Sequence, residues 1–435
     1  MPRSVDRDLS LAISRIGRAR SPRRPGLSIL LVLGLAAARA GNAAIAGDTD
    51  YEAPGPVETA ALLPGKMIDS PAGRVAPQAM ADGWHVTYTL EDADGTESLT
   101  GTQFLANRLR EIRAITTLRE MNKSEEFGKA LLASGGEKIR SVASAVKDPV
   151  NTLQKLPKGA SKFFGRLGTT AKNVAEGKVG ATDAAESALG VQRKRAELCL
   201  KLGVSPFTRD PVLRAELDTA ARAMAAGATL VNFTGLIVGG GVGTALTVVN
   251  ANQAFQRALV ESTPAELAER NRGILRNLGA EPAEVSAFLD NPAFNPWQKS
   301  AVTASLAAIG LPPGPVLDRA AEATSDEDAV YFVQMSRILE NHHTGTQRLA
   351  EIVSMNGIPC AIDRDGLVVV PVGSDLIRWT PALADRSAEF QDWAGRRKQV
   401  KSLLLATDGS VSDRAKGALA DLGIGVADQV LGPAE

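Results

Sequence analysis

The sequence predicts a mainly α protein: a helical array or bundle carrying an N-terminal β-hairpin and a small C-terminal α/β domain. Three observations predict it. Apolar residues recur at three- and four-residue spacing through most of the chain from Thr102 to about Glu340. Proline, glycine and N-capping residues cut that stretch into short units, and the pattern changes to strand-like runs only before and after it. Aromatic residues make up only 4% while Ala and Gly are abundant, which suits closely packed helices and argues against base-stacking platforms.

A chain of 435 residues exceeds one ordinary core and implies about two or three domains. Lys plus Arg and Asp plus Glu are both 49, so no global field draws in nucleic acid.

Residues 1–46 read as a signal peptide. Arg3, Arg7, Arg15, Arg18, Arg20, Arg23 and Arg24 precede "LSILLVLGLAAA", Leu27 to Ala38, an apolar run too short to span a bilayer comfortably. Ala38-Arg39-Ala40 and Ala44-Ile45-Ala46 then supply small-residue cleavage patterns. The expected location is outside the cytoplasm, periplasmic or secreted; the alternative is a basic amphipathic helix of a cytosolic protein. Pro25-Gly26 follow Arg23-Arg24 where twin-arginine export wants a bulky apolar residue, which favours the general secretory route. In an oxidising compartment Cys199 and Cys360, the only cysteines, are candidates for a disulfide. Both lie in apolar patterns, "AELCLKL" and "GIPCAID", so two buried free thiols stand as the equal alternative.

Residues 47–81, rich in Pro, Gly and Ala ("YEAPGPVETAALLPG"), read as a flexible linker. Residues 82–180 hold a hairpin from Gly83 to Gly101, turning at "DADG", and then a helix with Phe104, Leu105, Leu109, Ile112, Ile115 and Leu118 on one face. Arg108, Arg110, Arg113 and Arg119 fall largely off that face. A basic stretch follows, eleven Lys and Arg against five acids between Asn122 and Gly180. There Phe163 and Phe164 beside Lys162 and Arg166 could dip into an anionic headgroup layer, or fold back onto the helices.

Residues 181–325 read as a helical domain. "LGVSPFTRDP" ends one helix and starts another, and Thr263-Pro264-Ala265-Glu266 is a capping box with proline at the first helical position. "LGVSPFTRDPVLRAEL", "NRGILRNLGAEPAEVSAFLDNPAFNPWQ" and "TDGSVSDRAKGALADLGIGV" resemble stretches of predicted exported bacterial proteins with a central helical region and no known activity. The resemblance covers about a third of the chain; it implies export and helices and carries over no site residue.

Within this domain "LVNFTGLIVGGGVGTALTVVNA", Leu230 to Ala251, has no charge and spaces Gly235, Gly239 and Gly243 by four. As a helix it would be about 33 Å long, enough for a bilayer, with a small-residue stripe for close packing. Its glycines and Asn232 argue instead for buried core. A hairpin at the triple glycine is a further alternative. A phosphate loop fits poorly, because Thr244 stands where the third glycine belongs and no acid follows before Glu261.

Residues 326–435 read as the small α/β domain. Ser325 before Asp326-Glu327-Asp328 starts a helix, "IPCAIDRDGLVVVPV" gives two strands around Asp365-Gly366, and a helix starts near Pro381. Leu403 to Ala406, a helix after Ser410 or Ser412, and Ile424 to Val426 form a strand, helix, strand unit. Trp379 and Trp393 are expected in the core.

Catalytic motifs are missing: no G-x-S-x-G, H-E-x-x-H or C-x-x-C occurs. His85 sits in a strand pattern, and the adjacent His342-His343 read as cations near a helix C-terminus, not as metal ligands. No metal and no cofactor is expected. The expected function is an exported cell-envelope binding or assembly protein without enzymatic activity, its partner a membrane surface or an envelope protein and not nucleic acid. One alternative is a membrane-perturbing protein that docks Phe163-Phe164 and inserts the run containing Gly235, Gly239 and Gly243. Another is a hydrolase using the C-terminal domain, signalled by a concave pocket holding Asp408 or Asp413 with a perturbed pKa.

Overall fold

The computed structural model describes residues 51–122, 129, 181–226 and 259–432. The expectation of a mainly α fold is overturned, because the described residues are 52% helical and 21% strand and the strands form three sheets.

The N-terminal sheet is antiparallel and contains β1 (Gly55–Glu58), β2 (Asp69–Ser70), β3 (Gly73–Val75), β4 (Gln78–Ala81), β5 (Val86–Asp92) and β6 (Gly95–Thr100), with the short helix α1 (Gly65–Ile68) between β1 and β2. The strand order is β1-β4-β5-β3-β2, with β6 on the other edge of β5. Where composition reads as flexible linker, residues 55–81 therefore carry four strands. They are two to four residues long and too short for a visible alternation, and Tyr88 and Leu90 of β5 anchor the core they join. The hairpin expected at residues 83–101 is β5 and β6, paired from Thr87↔Thr100 to Asp92↔Gly95.

Helix α2 (Thr102–Asn122) links two cores. Its first half places Leu105 and Leu109 under the N-terminal sheet, and its second half places Ile115 and Leu118 among α3 (Ala181–Leu202) and α4 (Pro211–Ala225). One residue departs from the expected face. Arg110 is buried, and burial together with neighbouring Arg113 lowers its pKa to about 10.

Helices α5 (Pro264–Asn277), α6 (Pro282–Asp290), α7 (Pro296–Ile309) and α8 (Gly314–Ala321) follow, each with proline in its first turn. The capping box expected at Thr263 is present, and α6, α7 and α9 (Asp326–Gly345) also start at capping boxes, the last formed by Ser325 and Asp328. These helices share one core with the third layer of the protein, so no clean boundary falls at residue 326.

That layer is a mixed sheet of β7 (Leu349–Met355), β8 (Ile358–Asp363), β9 (Leu367–Val372), β11 (Ser402–Thr407) and β13 (Ile424–Ala427), in the order β13-β11-β9-β8-β7. The first three in that order are mutually parallel; β8 is antiparallel to β9, and β7 is antiparallel to β8. Successive residues point to opposite faces. Val369 and Ala406 join α5 to α9 on one face, while Val368, Val370, Leu403 and Leu405 join α10 (Pro381–Gly395), α11 (Asp413–Asp421), Trp379 and Trp393 on the other. Each such aliphatic side chain contributes about 1.5–3 kcal/mol on burial, so a one-residue slip of β9 would be costly on both faces. A third, two-stranded parallel sheet pairs β10 (Leu376–Ile377) with β12 (Ser410–Val411) just beyond the ends of β9 and β11.

The two cysteines are free and buried in different cores, Cys199 among α3 and α4 and Cys360 in β8 of the mixed sheet. That separation answers the disulfide expectation, since bridged Cα atoms must lie within about 7 Å of each other.

Candidate functional site

Strands β9 and β11 are paired from Leu367↔Ser402 to Val372↔Thr407, so they run out side by side. Each is followed by a glycine-containing polar loop, Gly373-Ser374-Asp375 and Asp408-Gly409-Ser410. The loops are laced together. Ser374 donates its backbone N–H to Asp408 Oδ1 (3.2 Å), the Ser374 and Thr407 hydroxyls lie 2.8 Å apart, and the Ser410 N–H donates to the Asp375 carbonyl (2.9 Å). A Cβ at Gly409 would stand 2.1 Å from the Ser374 carbonyl oxygen, so only glycine permits this approach.

In parallel α/β units, ligands collect outside the carboxyl ends of the strands. Here α10 and α11 cover the same face, so the crevice does not arise from a change of face between neighbouring helices. It arises because α9 rises on the opposite face and the N-terminal sheet closes the end. Gln334 of α9 donates to Asp408 Oδ2. Asp375 Oδ1 accepts the Thr102 N–H (2.7 Å), its Oδ2 accepts the Val86 N–H (2.9 Å), and His85 Nδ1 lies 3.5 Å from Oδ2. The carboxylate of Asp375 thus ties the start of β5 and the start of α2 to the mixed sheet.

A cavity of about 110 Å³ lies at this seam, lined by Thr102 and Gln103 from α2, Gln334 and Arg337 from α9, Ser374 and Asp375, Asp408 to Ser410, and Gln429. A smaller one of about 50 Å³ adjoins it through Gln103, Gln334, Ser374 and Asp375, and reaches His85. Gln429 is one of two non-glycine residues with positive φ among the described residues (φ 51°), and its side chain donates to the Ser410 hydroxyl (3.3 Å).

The electrostatics are uneven. Burial, reinforced by the charge of Asp375, pushes the Asp408 carboxyl up to about 7; hydrogen bonds from the Ser374 N–H and Gln334 oppose the shift without cancelling it. At His85 burial works against the imidazolium, but Asp375, with Asp82 and Asp408 behind it, prevails and raises the pKa. Burial lowers the Arg337 pKa, and Glu340 and Asp408 act against that. Arginine nonetheless stays charged. Among the described residues Arg337 makes no hydrogen bond or ion pair, although it lines the same cavity as Asp408.

Of the residues singled out from sequence, Asp408 lies in the cavity and Asp413 does not; it occupies the first turn of α11. Phe163, Phe164, Gly235, Gly239 and Gly243 lie outside the described residues. Among the described residues no helix is long and apolar enough to cross a membrane, and no group of three or more His, Cys, Asp or Glu is placed to hold a metal ion. The expectation of paired helix-end cations at His342-His343 fails for His343. Its Nδ1 accepts the Leu349 N–H (3.1 Å), and burial, with Arg348 and Arg364 nearby, lowers its pKa toward the neutral ring. His342 Nε2 instead lies 3.3 Å from Asp363 Oδ2.

Sequence reasoning missed Arg337, Gln334, Ser374 and Asp375, and gave His85 no role in a site. A signal existed for two of them: "VGSD" and "TDGS" each put glycine, serine and an acid at the end of an apolar strand run. Compared with known proteins, the chain matches no family model, no curated protein and no solved structure.

Proposed function

We propose that this is an exported envelope protein, periplasmic or secreted, that binds a small polar ligand in the cavity at the seam between its two large sheets. Export is supported by the order of basic region, short apolar run and small-residue pattern in residues 1–46. The observation that carries the binding reading is Arg337. A half-buried guanidinium with no ion pair keeps its charge-assisted hydrogen bonds open to a ligand. Arg337 lines the cavity beside Asp408, Ser410 and Gln429, with Leu62, Pro64 and Leu431 completing the wall, and makes no hydrogen bond or ion pair with the described chain. The test is a titration of the ¹⁵N-labelled mature chain with small carboxylates, amines, amino acids, polyols and amides. Binding in the cavity should move the amide resonances of Ser374, Gly409 and Ser410 at millimolar ligand or below. Silence from every class at those amides would end this reading.

A second reading, a hydrolase using the same site, is favoured by one observation: the Asp408 carboxyl titrates near neutrality beside the Asp375 and His85 pair. A general acid needs that protonation behaviour. On this reading, ester, amide or phosphoester probes are cleaved during prolonged incubation and Asp408→Asn abolishes turnover while leaving ligand bound. Intact probes after incubation would retire it.

A further inference from the structure

We infer that the ligand of the seam cavity is a small amino-acid-like zwitterion, its carboxylate received by Arg337 and its ammonium by Asp408. The inference rests on the binding reading above and deepens it. Arg337 lines one cavity of about 110 Å³ with two carboxyl groups; Asp375 spends both its oxygens on the Val86 and Thr102 N–H groups, and Asp408 acts on Arg337 electrostatically, yet no ion pair joins those two. A ligand seated between them has to complement both. A simple anion would satisfy Arg337 and set its oxygens against the Asp408 carboxylate. A simple amine would satisfy Asp408 and crowd a second cation against Arg337. A neutral polyol would leave the guanidinium without a counter-charge. A zwitterion carries both charges a few bonds apart, and the Ser410 hydroxyl and the Gln103 and Gln429 amides remain for its other polar atoms. One water needs roughly 10–15 Å³ of such space, so the cavity accepts a molecule of a few heavy atoms and not a peptide.

The pH dependence follows from what surrounds Asp408: Asp375 from the neighbouring loop, His85 before β5, and Gln334 and Arg337 from α9, with Glu340 beyond Arg337. An arriving ammonium stabilises the ionised carboxylate, so Asp408 releases its proton to solvent on binding. With a free-state value near 7, affinity should rise about tenfold from pH 6 to pH 8.

The experiment is calorimetric titration of the mature protein with glycine and serine, against acetate, lactate, ethanolamine and glycerol, at pH 6 and 8 in buffers of different ionisation enthalpy. Glycine or serine should bind at least tenfold more tightly than the other four, with net proton release. Tighter binding of acetate or lactate with proton uptake, or of glycerol or ethanolamine alone, overturns the zwitterion assignment while the binding reading stands. Failure of all six, together with silence in the broader amide titration, removes both. Selectivity is read on the wild-type chain and does not depend on a variant folding. Arg337→Lys should keep part of the affinity and Arg337→Gln should lose it; zwitterion binding unchanged in a folded Arg337→Gln variant also overturns the assignment.

Discussion

A carboxyl buried beside a second carboxylate is costly to charge, and Asp408 makes that cost measurable. Its pKa is about 7 in the folded chain against roughly 3.9 when unfolded. Between those values the native state holds a proton that the unfolded state has lost, so stability falls as pH rises from about 4 to 7 and levels off above. Asp408→Asn lacks this dependence. Chemical denaturation should show the variant gaining on the wild type across that window and holding a constant advantage at pH 8; parallel curves would mean Asp408 is not shifted. Gly409→Ala should cost about 1–3 kcal/mol or more, because its methyl meets backbone oxygen and no flexible side chain can yield. An unchanged denaturation midpoint would contradict the close approach of the two loops. Asp408 was legible because an acid directly after "LLLAT" stands at a strand end. Arg337 was not, since an arginine within "VQMSRILE" reads as the wet side of an amphipathic helix, and only packing turns it toward a cavity.

At the scale of elements, Asp375 holds β5 and α2 against the mixed sheet with two charge-assisted hydrogen bonds across more than 270 residues of chain. Asp375→Ala leaves the Val86 and Thr102 N–H groups without their acceptor and should destabilise the protein by about 2–4 kcal/mol. Hydrogen exchange at those two amides should accelerate, and the Asp408 carboxyl should titrate at lower pH once the neighbouring charge is gone. Full protection at both amides would show that the clamp is dispensable. Strand β7 shows why part of the mixed sheet was hidden. Burial falls on Leu349, Ile352 and Met355, a spacing of three that imitates a helix: a bulge between Leu349 and Glu351 brings Leu349 and Ile352 to one face, while Met355 is buried on the other.

At the scale of the whole molecule, the contacts of Glu52 set a limit on where the proposed leader is cleaved. Glu52 accepts hydrogen bonds from the Trp379 N–H (2.6 Å) and the Ser412 hydroxyl (2.5 Å), so its side chain belongs to the folded C-terminal layer. Cleavage after Ala40 or Ala46 spares it. Fractionation of the native host with N-terminal sequencing should recover a chain starting near Gly41 or Gly47 outside the cytoplasm; a cytoplasmic product retaining Met1 would defeat the export proposal. A truncation to Gly47 should melt with the full-length chain, whereas one reaching Ala53 should melt lower. Equal melting of both would remove Glu52 from the fold's support.

Local chemistry alone determined the helix starts at Thr263 and Ser325, the hairpin at residues 83–101 and the strand, helix, strand unit near the C-terminus, because capping, turn residues and periodicity act within a few residues of chain. Tertiary structure decided the rest. Strands of two to four residues gain their hydrogen bonds from partners rather than from pattern, which is how a presumed linker became half of a sheet. The site, too, exists only where Asp375, Asp408, Arg337 and His85 meet from four separate places in the chain, and the low-polarity surroundings that shift the Asp408 carboxyl come into being only with that meeting.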